Sequence, residues 1–203
     1  MLKKALITTS LVACMSLSLM AQGNGHGHKG HGKQHKEQIT TQHIGKKDLL
    51  HNVTVGELSD EQKEGMSYII EEEKVARDVY LSLSKTWNSR IFKNIAKSEQ
   101  KHIDAVAKLF SKYEIDSPST LEYEGVFEND ELQKLYDNLV AKGETSLLSA
   151  YEVGVIVEET DIADLEDLLN SDISSDFERV YSNLLKGSNK HLDAFNRQVL
   201  KQK

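Results

Sequence analysis

The stretch IAKSEQKHIDAVAKL, residues 95–109, places apolar and metal-binding side chains on one face of a predicted helix. Ile95, Val106 and Leu109 recur at the spacing of a buried helical stripe, and Glu99 and His102 fall in the positions between them. Residues three apart on a helix are neighbours on one face, so this Glu and His can face one ion together. We therefore expect residues 95–109 to direct a carboxylate and an imidazole into the protein interior.

Three further predicted helices show the same interruption of an apolar stripe. On one of them, Val155 and Ile162 flank Glu159, which predicts that this carboxylate points inward. Buried carboxylates repel one another unless they bind protons or a cation, so a shared divalent metal site is the favoured interpretation. The alternative is salt bridges to Arg77, Arg179 or Lys190. The candidate metal ligands are Glu73, Glu99, His102, Glu159 and His191.

The chain from Leu58 onward is predicted to be all-α. It has one proline, few glycines and no alternating apolar stretch long enough for a sheet. Ser59 and Gln62 form a capping box at the start of the first helix, and Asn88 is the predicted cap of the second. We expect helices over about 59–86, 88–113, 129–141, 145–169 and 174–202, the third being a short extra helix.

The N-terminus predicts export. Lys3 and Lys4 precede an apolar run that ends near Met20 and Ala21, as in a signal peptide over residues 1–21. Cleavage after Ala21 would place the protein in the periplasm or outside the cell. Two alternatives remain open: lipidation at Cys14, since residues 11–14 (LVAC) resemble a bacterial lipoprotein box, and a retained anchor.

Residues 22–57 are predicted to form a disordered tail and linker, and residues 58–203 the folded domain. The segment QGNGHGHKGHGKQHK, residues 22–36, is rich in glycine and histidine and has almost no apolar side chains to bury. Its imidazoles can bind Zn²⁺, Cu²⁺ or Ni²⁺ weakly, and a plain soluble spacer is the alternative. His43 and His51 are read as surface residues.

Charge excludes some functions. The formal net charge is −7, and residues 48–203 carry 18 basic and 31 acidic residues. An acidic domain repels nucleic acid and attracts cations, although a solvated acidic surface without a specific partner is the simpler reading. The sequence contains no phosphate-binding glycine loop and no nucleophile–base signature. Because Cys14 is the one cysteine, a disulfide framework or thiolate metal site is also excluded.

These residues resemble the ferritin and rubrerythrin-like di-iron carboxylate superfamily, which combines single glutamates with E-x-x-H motifs on four helices. EEEKVARDVY (71–80) is similar to its first-helix motif and Glu99-Gln-Lys-His102 to its second. Together with VEETDIADLE and GSNKHLDAF they resemble an uncharacterised branch of exported bacterial and archaeal proteins. A shift of 86 residues sets Glu72-Glu73 over Glu158-Glu159, which suggests two related helix pairs. The resemblance implies a ferritin-like four-helix bundle over roughly residues 58–200.

One position departs from the rubrerythrin pattern, because Ser188 stands three residues before His191 where that pattern has a glutamate. The resemblance then implies five ligands, with Glu99 as a bridge and Glu159 as a second candidate bridge. Tyr80 and Tyr181 are candidates for a radical or hydrogen-bonding role, with core packing as the alternative. A sixth ligand could come from Glu72, Glu152, Glu158 or Glu166, which otherwise are surface charges.

The resemblance implies a pair of iron ions, or manganese, that oxidises Fe²⁺ or reduces O₂ or peroxide. Two other functions remain open at this stage. The chain could be a binding protein whose tail and acidic domain sequester or deliver metal ions. It could also be a structural adaptor with a salt-bridged interior. The expected partners are metal ions and O₂ or peroxide, no nucleic acid, and a second copy of the chain if a homodimer forms.

Overall fold

The computed structural model describes residues 57–202, and this part of the chain is helical throughout its regular structure. No strand occurs within residues 57–202, which confirms the predicted all-α class. The predicted signal peptide and the tail up to residue 56 lie outside the described residues. The helices are α1 (Asp60–Trp87), α2 (Arg90–Lys112), α3 (Asp130–Gly143), α4 (Leu147–Leu169) and α5 (Ser175–Gln202).

The helix ends follow the capping residues with one exception. The Ser59 side chain accepts from the backbone N–H of Gln62, whose side chain accepts from the backbone N–H of Ser59, so the predicted capping box is confirmed. Asn88 was predicted to start α2, but it ends α1, with φ 46° and its N–H donated to the Ser84 carbonyl. Asparagine tolerates this left-handed conformation, and Ser89 takes the position before α2 instead.

The four long helices pack as two sequential pairs, α1 with α2 and α4 with α5. Contacts between α2 and α5 and between α1 and α4 join the pairs, and α3 lies against α1 and α4. Buried polar side chains of α1 fix the α2–α3 connection. Lys74 Nζ lies 2.6 Å from Asp78 Oδ2 and donates to the Val126 carbonyl, and Glu71 accepts from the backbone N–H groups of Glu128 and Asn129.

Two apolar clusters form the core, with a polar layer between them. One cluster includes Tyr80, Phe92 and Phe195, and the other includes Phe110 and Tyr181. On each of α1, α2, α4 and α5, the buried residues of the two clusters are separated along the helix by buried polar residues. Hydrophobic burial on both sides therefore holds the polar layer in place. No helix between residues 57 and 202 is both long and apolar enough to cross a membrane.

The contact between α4 and α5 depends on a glycine. A Cβ at Gly154 would lie 2.5 Å from the ring of Phe195, so Gly154→Ala is expected to destabilise the fold by about 1–3 kcal/mol. Gly65→Ala is the matched control: its nearest heavy atom would be 3.7 Å away, and the helical site should gain about 0.5–1 kcal/mol. Urea unfolding of both variants measures the difference. Equal stability of the two variants would contradict the packing described here.

Candidate metal centre

Five buried side chains from four helices meet in the polar layer. α1 contributes Glu73, α2 contributes Glu99 and His102, α4 contributes Glu158, and α5 contributes His191. The three glutamates are 1–2% exposed and the two histidines 9%. Each lies on its helix between residues of the two apolar clusters, so the sequence pattern that buries the flanking side chains also directs these polar groups inward.

The first half of the site surrounds His102. Its Nδ1 lies 3.0 Å from Glu73 Oε2 and 2.8 Å from Glu99 Oε2. The other edge of the ring rests on α5, where a Cβ on Gly187 would come within 2.5 Å of His102 Nε2. The glycine therefore makes room for the imidazole, and the ring is fixed with Nδ1 towards the two carboxylates.

The second half of the site repeats this arrangement around His191. Its Nδ1 lies 2.8 Å from Glu99 Oε1 and 3.5 Å from Glu158 Oε2. The other oxygen of Glu158 accepts a hydrogen bond of 2.6 Å from the hydroxyl of Tyr80. The rings of His102 and His191 are nearly parallel, with centroids 5.7 Å apart.

Glu99 belongs to both halves because its two oxygens face different histidines. Glu73, Glu99 and His102 bring one ligand atom each within 4.8 Å of one another, and so do Glu99, Glu158 and His191. The site is thus two triads of two carboxylates and one imidazole that share the Glu99 carboxylate.

Four of the five predicted ligands come together, but Glu159 does not. Its side chain is exposed, and the preceding residue, Glu158, takes the inward position. The reason is that α4 carries apolar residues around most of its circumference, so the stripe through Val155 and Ile162 was a poor guide to its buried face. The face is set by Ala150, Val157 and other small or apolar residues that pack against α1 and α5.

The reserve residues and the two tyrosines separate clearly. Glu158 joins the site and Glu72 is buried beside it, whereas Glu166 is exposed and Glu152 partly exposed. Tyr80 has the predicted hydrogen-bonding contact, through Glu158. Tyr181 packs in the second apolar cluster with its ring edge-on to Phe177.

None of the three proposed salt-bridge partners reaches the triads. Arg77 donates to Asp78, Gln100 and the Leu121 carbonyl. Arg179 lies beside Asp176, and Lys190 is exposed. That alternative is therefore wrong for the described part of the chain. Asp161, which the sequence analysis did not single out, is also buried in this layer at 5% exposure.

The charges of the layer are balanced by protons in the protein alone. Burial is the largest cause that raises the pKa of Glu73 to about 7 and that of Glu158 to about 8. Burial favours neutral imidazoles, but the adjoining carboxylates overcome it and raise the pKa of His102 to about 11 and that of His191 to about 10. Burial also acts against ionised Glu99, yet the two histidines hold its pKa below the usual range.

The donor set fits a pair of divalent ions. One N–H at His102 Nδ1 faces two carboxylate oxygens, and Glu73 Oε1, Glu99 Oε1 and His191 Nδ1 have no hydrogen-bond partner among the described residues. Buried polar atoms without partners are costly, and carboxylate–imidazole ligation would satisfy them. Carboxylate and imidazole ligands suit iron, manganese or zinc.

These features define a class of all-α protein in which four helices contribute carboxylates and imidazoles to a buried layer. Residues 62–203 match the model of an uncharacterized protein domain family, DUF2202, and the chain belongs to this family. It is 49% identical over 142 residues to the uncharacterized protein MJ0754 of Methanocaldococcus jannaschii, a match that covers 70% of this chain and 77% of that protein. The crystal structure of hypothetical protein MJ0754 from Methanococcus jannaschii is similar in fold, with a TM-score of 0.70, 48% identity and coverage of 71% of this chain and 83% of that one.

The metal-free protein is expected to lose stability as the pH rises from 5 to 8. Glu73 and Glu158 keep protons in the fold, up to pKa values of about 7 and 8, that the unfolded chain releases near 4.5. The stabilising contribution of protonated His102 and His191 is complete below pH 6.5 and is lost as the pH rises through about 10 to 11. Both changes lower the free energy of unfolding, by up to about 1.4 kcal/mol per pH unit for each proton.

Urea unfolding of the chelator-treated protein at pH 5.5, 6.5 and 7.5 measures this slope. Glu158→Gln should flatten it, and Glu159→Gln, which changes an exposed carboxylate next in the chain, should leave it unchanged. A stability that increases with pH over this range would refute the assignment.

Proposed function

We propose that the chain is an exported, ferritin-like metal-binding protein whose two triads hold a pair of iron ions, or iron and manganese. In this proposal the four long helices form a ferritin-like bundle, and the metal pair oxidises Fe²⁺ or reduces O₂ or peroxide. The signal-like residues 1–21 support export, and the position of Cys14 leaves lipid anchoring open.

The observation that carries the proposal is the shared carboxylate of Glu99. Its Oε2 lies 2.8 Å from His102 Nδ1 and its Oε1 lies 2.8 Å from His191 Nδ1. One glutamate between two equivalent triads is the arrangement expected of a carboxylate that bridges two ions. The same arrangement on four helices supports the resemblance to the ferritin and rubrerythrin-like superfamily.

A bound metal pair would supply the redox chemistry, since two nearby ions can share the electrons of an O₂ or peroxide acceptor. The protein residues would bind and orient it. Tyr80 holds Glu158 through its hydroxyl and so fixes the orientation of that carboxylate. The rings of Phe92 and Phe195 pack against Tyr80 and keep water from this side of the layer.

Metal content tests the proposal through the asymmetry of the two triads. The full chain loaded with Fe²⁺ or Mn²⁺ and passed through a desalting column should retain about two ions in the helical region. Glu99→Ala should lose both ions because it removes a ligand from each triad. Glu158→Ala should lose mainly the ion beside His191.

The matched control is Glu159→Ala, which removes the same side chain from the exposed face of α4 and should leave the metal content unchanged. Each variant is compared with a chain that lacks residues 22–36, so that ions held by the tail histidines are counted separately. If Glu99→Ala and Glu159→Ala retain the same number of ions, the proposed centre is wrong.

Iron oxidation distinguishes an enzyme from a sequestering protein. An oxidoreductase centre should convert Fe²⁺ to Fe³⁺ over many equivalents, with matching consumption of O₂ or peroxide, and Glu99→Ala should remove this activity. Stoichiometric binding without turnover would favour the alternative, a sequestering or delivery protein, for which the histidine-rich tail and the acidic domain are the support. Oxygen-electrode and absorbance measurements under the same conditions decide between them.

A further inference from the structure

Next to the two triads, the structure buries two more carboxylates that have no hydrogen-bond partner for their free oxygens. Glu72 is 5% exposed, and neither Oε1 nor Oε2 has a partner among the described residues. Asp161 is also 5% exposed, and its Oδ1 is without a partner. These two residues lie outside the ligand triads, so the proposed metal pair does not account for them.

Helical spacing places these groups in a row on the interface between α1 and α4. Glu158, Asp161 and Asp164 follow one another at intervals of three residues on α4, and Glu72 precedes Glu73 on α1. The two helices pack against each other. Along α4 the exposure falls inward, from partly exposed Asp164 to buried Asp161 and Glu158.

The electrostatic neighbours of each group agree with this order. Burial first, and then the charges of Asp164 and Asp161, raise the pKa of Glu72. For Asp161 the pKa is raised by burial first and then by the charges of Glu73 and Glu158. Asp164 thus adjoins Glu72 at the outer end, and Asp161 adjoins the triads at the inner end.

No basic side chain within residues 57–202 forms a salt bridge with Glu72, Asp161 or Asp164. The nearest lysine on α1, Lys74, is paired with Asp78. Buried carboxylates without cationic partners destabilise a fold relative to apolar side chains of similar size. A row of them leading to a metal centre therefore indicates a function rather than a contribution to stability.

We propose that Asp164, Glu72 and Asp161 form a relay that passes divalent cations along the α1–α4 interface from the surface to the two triads. This inference rests on the proposed function. Among the described residues, the triads around Glu99 bring three ligand atoms within 4.8 Å of one another, and the relay residues form no such group. Separate carboxylates bind a cation weakly in turn, which suits passage better than retention. The competing route runs along the α2–α5 face, where His102 and His191 keep 9% exposure.

The test measures how fast the full chain takes up Fe²⁺ after chelator treatment, by anaerobic stopped-flow mixing and with the final metal content recorded. Glu72→Gln and Asp164→Asn keep the side-chain size and remove one charge each. Both are expected to slow loading at least about tenfold while the final content stays at the wild-type value. Asp167→Asn, an exposed residue on the same helix, is the control for lost charge and should load at the wild-type rate.

The possible results separate the two proposals. The Glu99→Ala chain supplies the background from the histidine-rich tail. Wild-type loading rates in Glu72→Gln and Asp164→Asn, with full metal content, would overturn the relay and favour passage beside the histidines. A lower final content in Glu72→Gln would also overturn it, because Glu72 would then be a ligand. A wild-type chain that binds no more iron than Glu99→Ala would refute the metal centre itself, and the relay with it.

Discussion

The contact of one carboxylate, that of Glu99, with two histidines from different helices is the interaction on which the rest of the structure depends. Glu99 Oε2 faces His102 on its own helix and Oε1 faces His191 on α5. Glu73 and Glu158 complete the layer from α1 and α4. Because these groups are buried without a Lys or Arg partner, their charges must be balanced by protons or by metal ions.

Such a layer is tolerated because apolar packing above and below it supplies the stability. Each long helix contributes buried residues to both apolar clusters, so shifting one helix along its axis would disturb both clusters at once. Close contacts at Gly154 and Gly187 fix α4 and α5 relative to Phe195 and His102. Buried α1 residues Glu71, Lys74 and Asp78 hold the long α2–α3 connection against the same helix that provides Glu73. The polar layer is thus positioned by the whole helical core.

The sequence predicted the all-α class, the helix order and the inward direction of Glu73, Glu99, His102 and His191, because on α1, α2 and α5 polar and apolar faces are distinct. It failed on α4, where valine, isoleucine and leucine occur on both faces and periodicity cannot separate Glu158 from Glu159. Asp161 was missed for a related reason, since an aspartate one turn beyond an incorrectly oriented residue looks like a surface charge. Asn88 was misplaced because asparagine suits either end of a helix.

The most direct test of this account is a crystal structure of the full chain loaded with Mn²⁺ or Fe²⁺, with the ions located by anomalous scattering. The account predicts two peaks about 3.5–4 Å apart on either side of the Glu99 carboxylate, one beside His102 and the other beside His191. A map with both triads well ordered and no anomalous peak between them would contradict it.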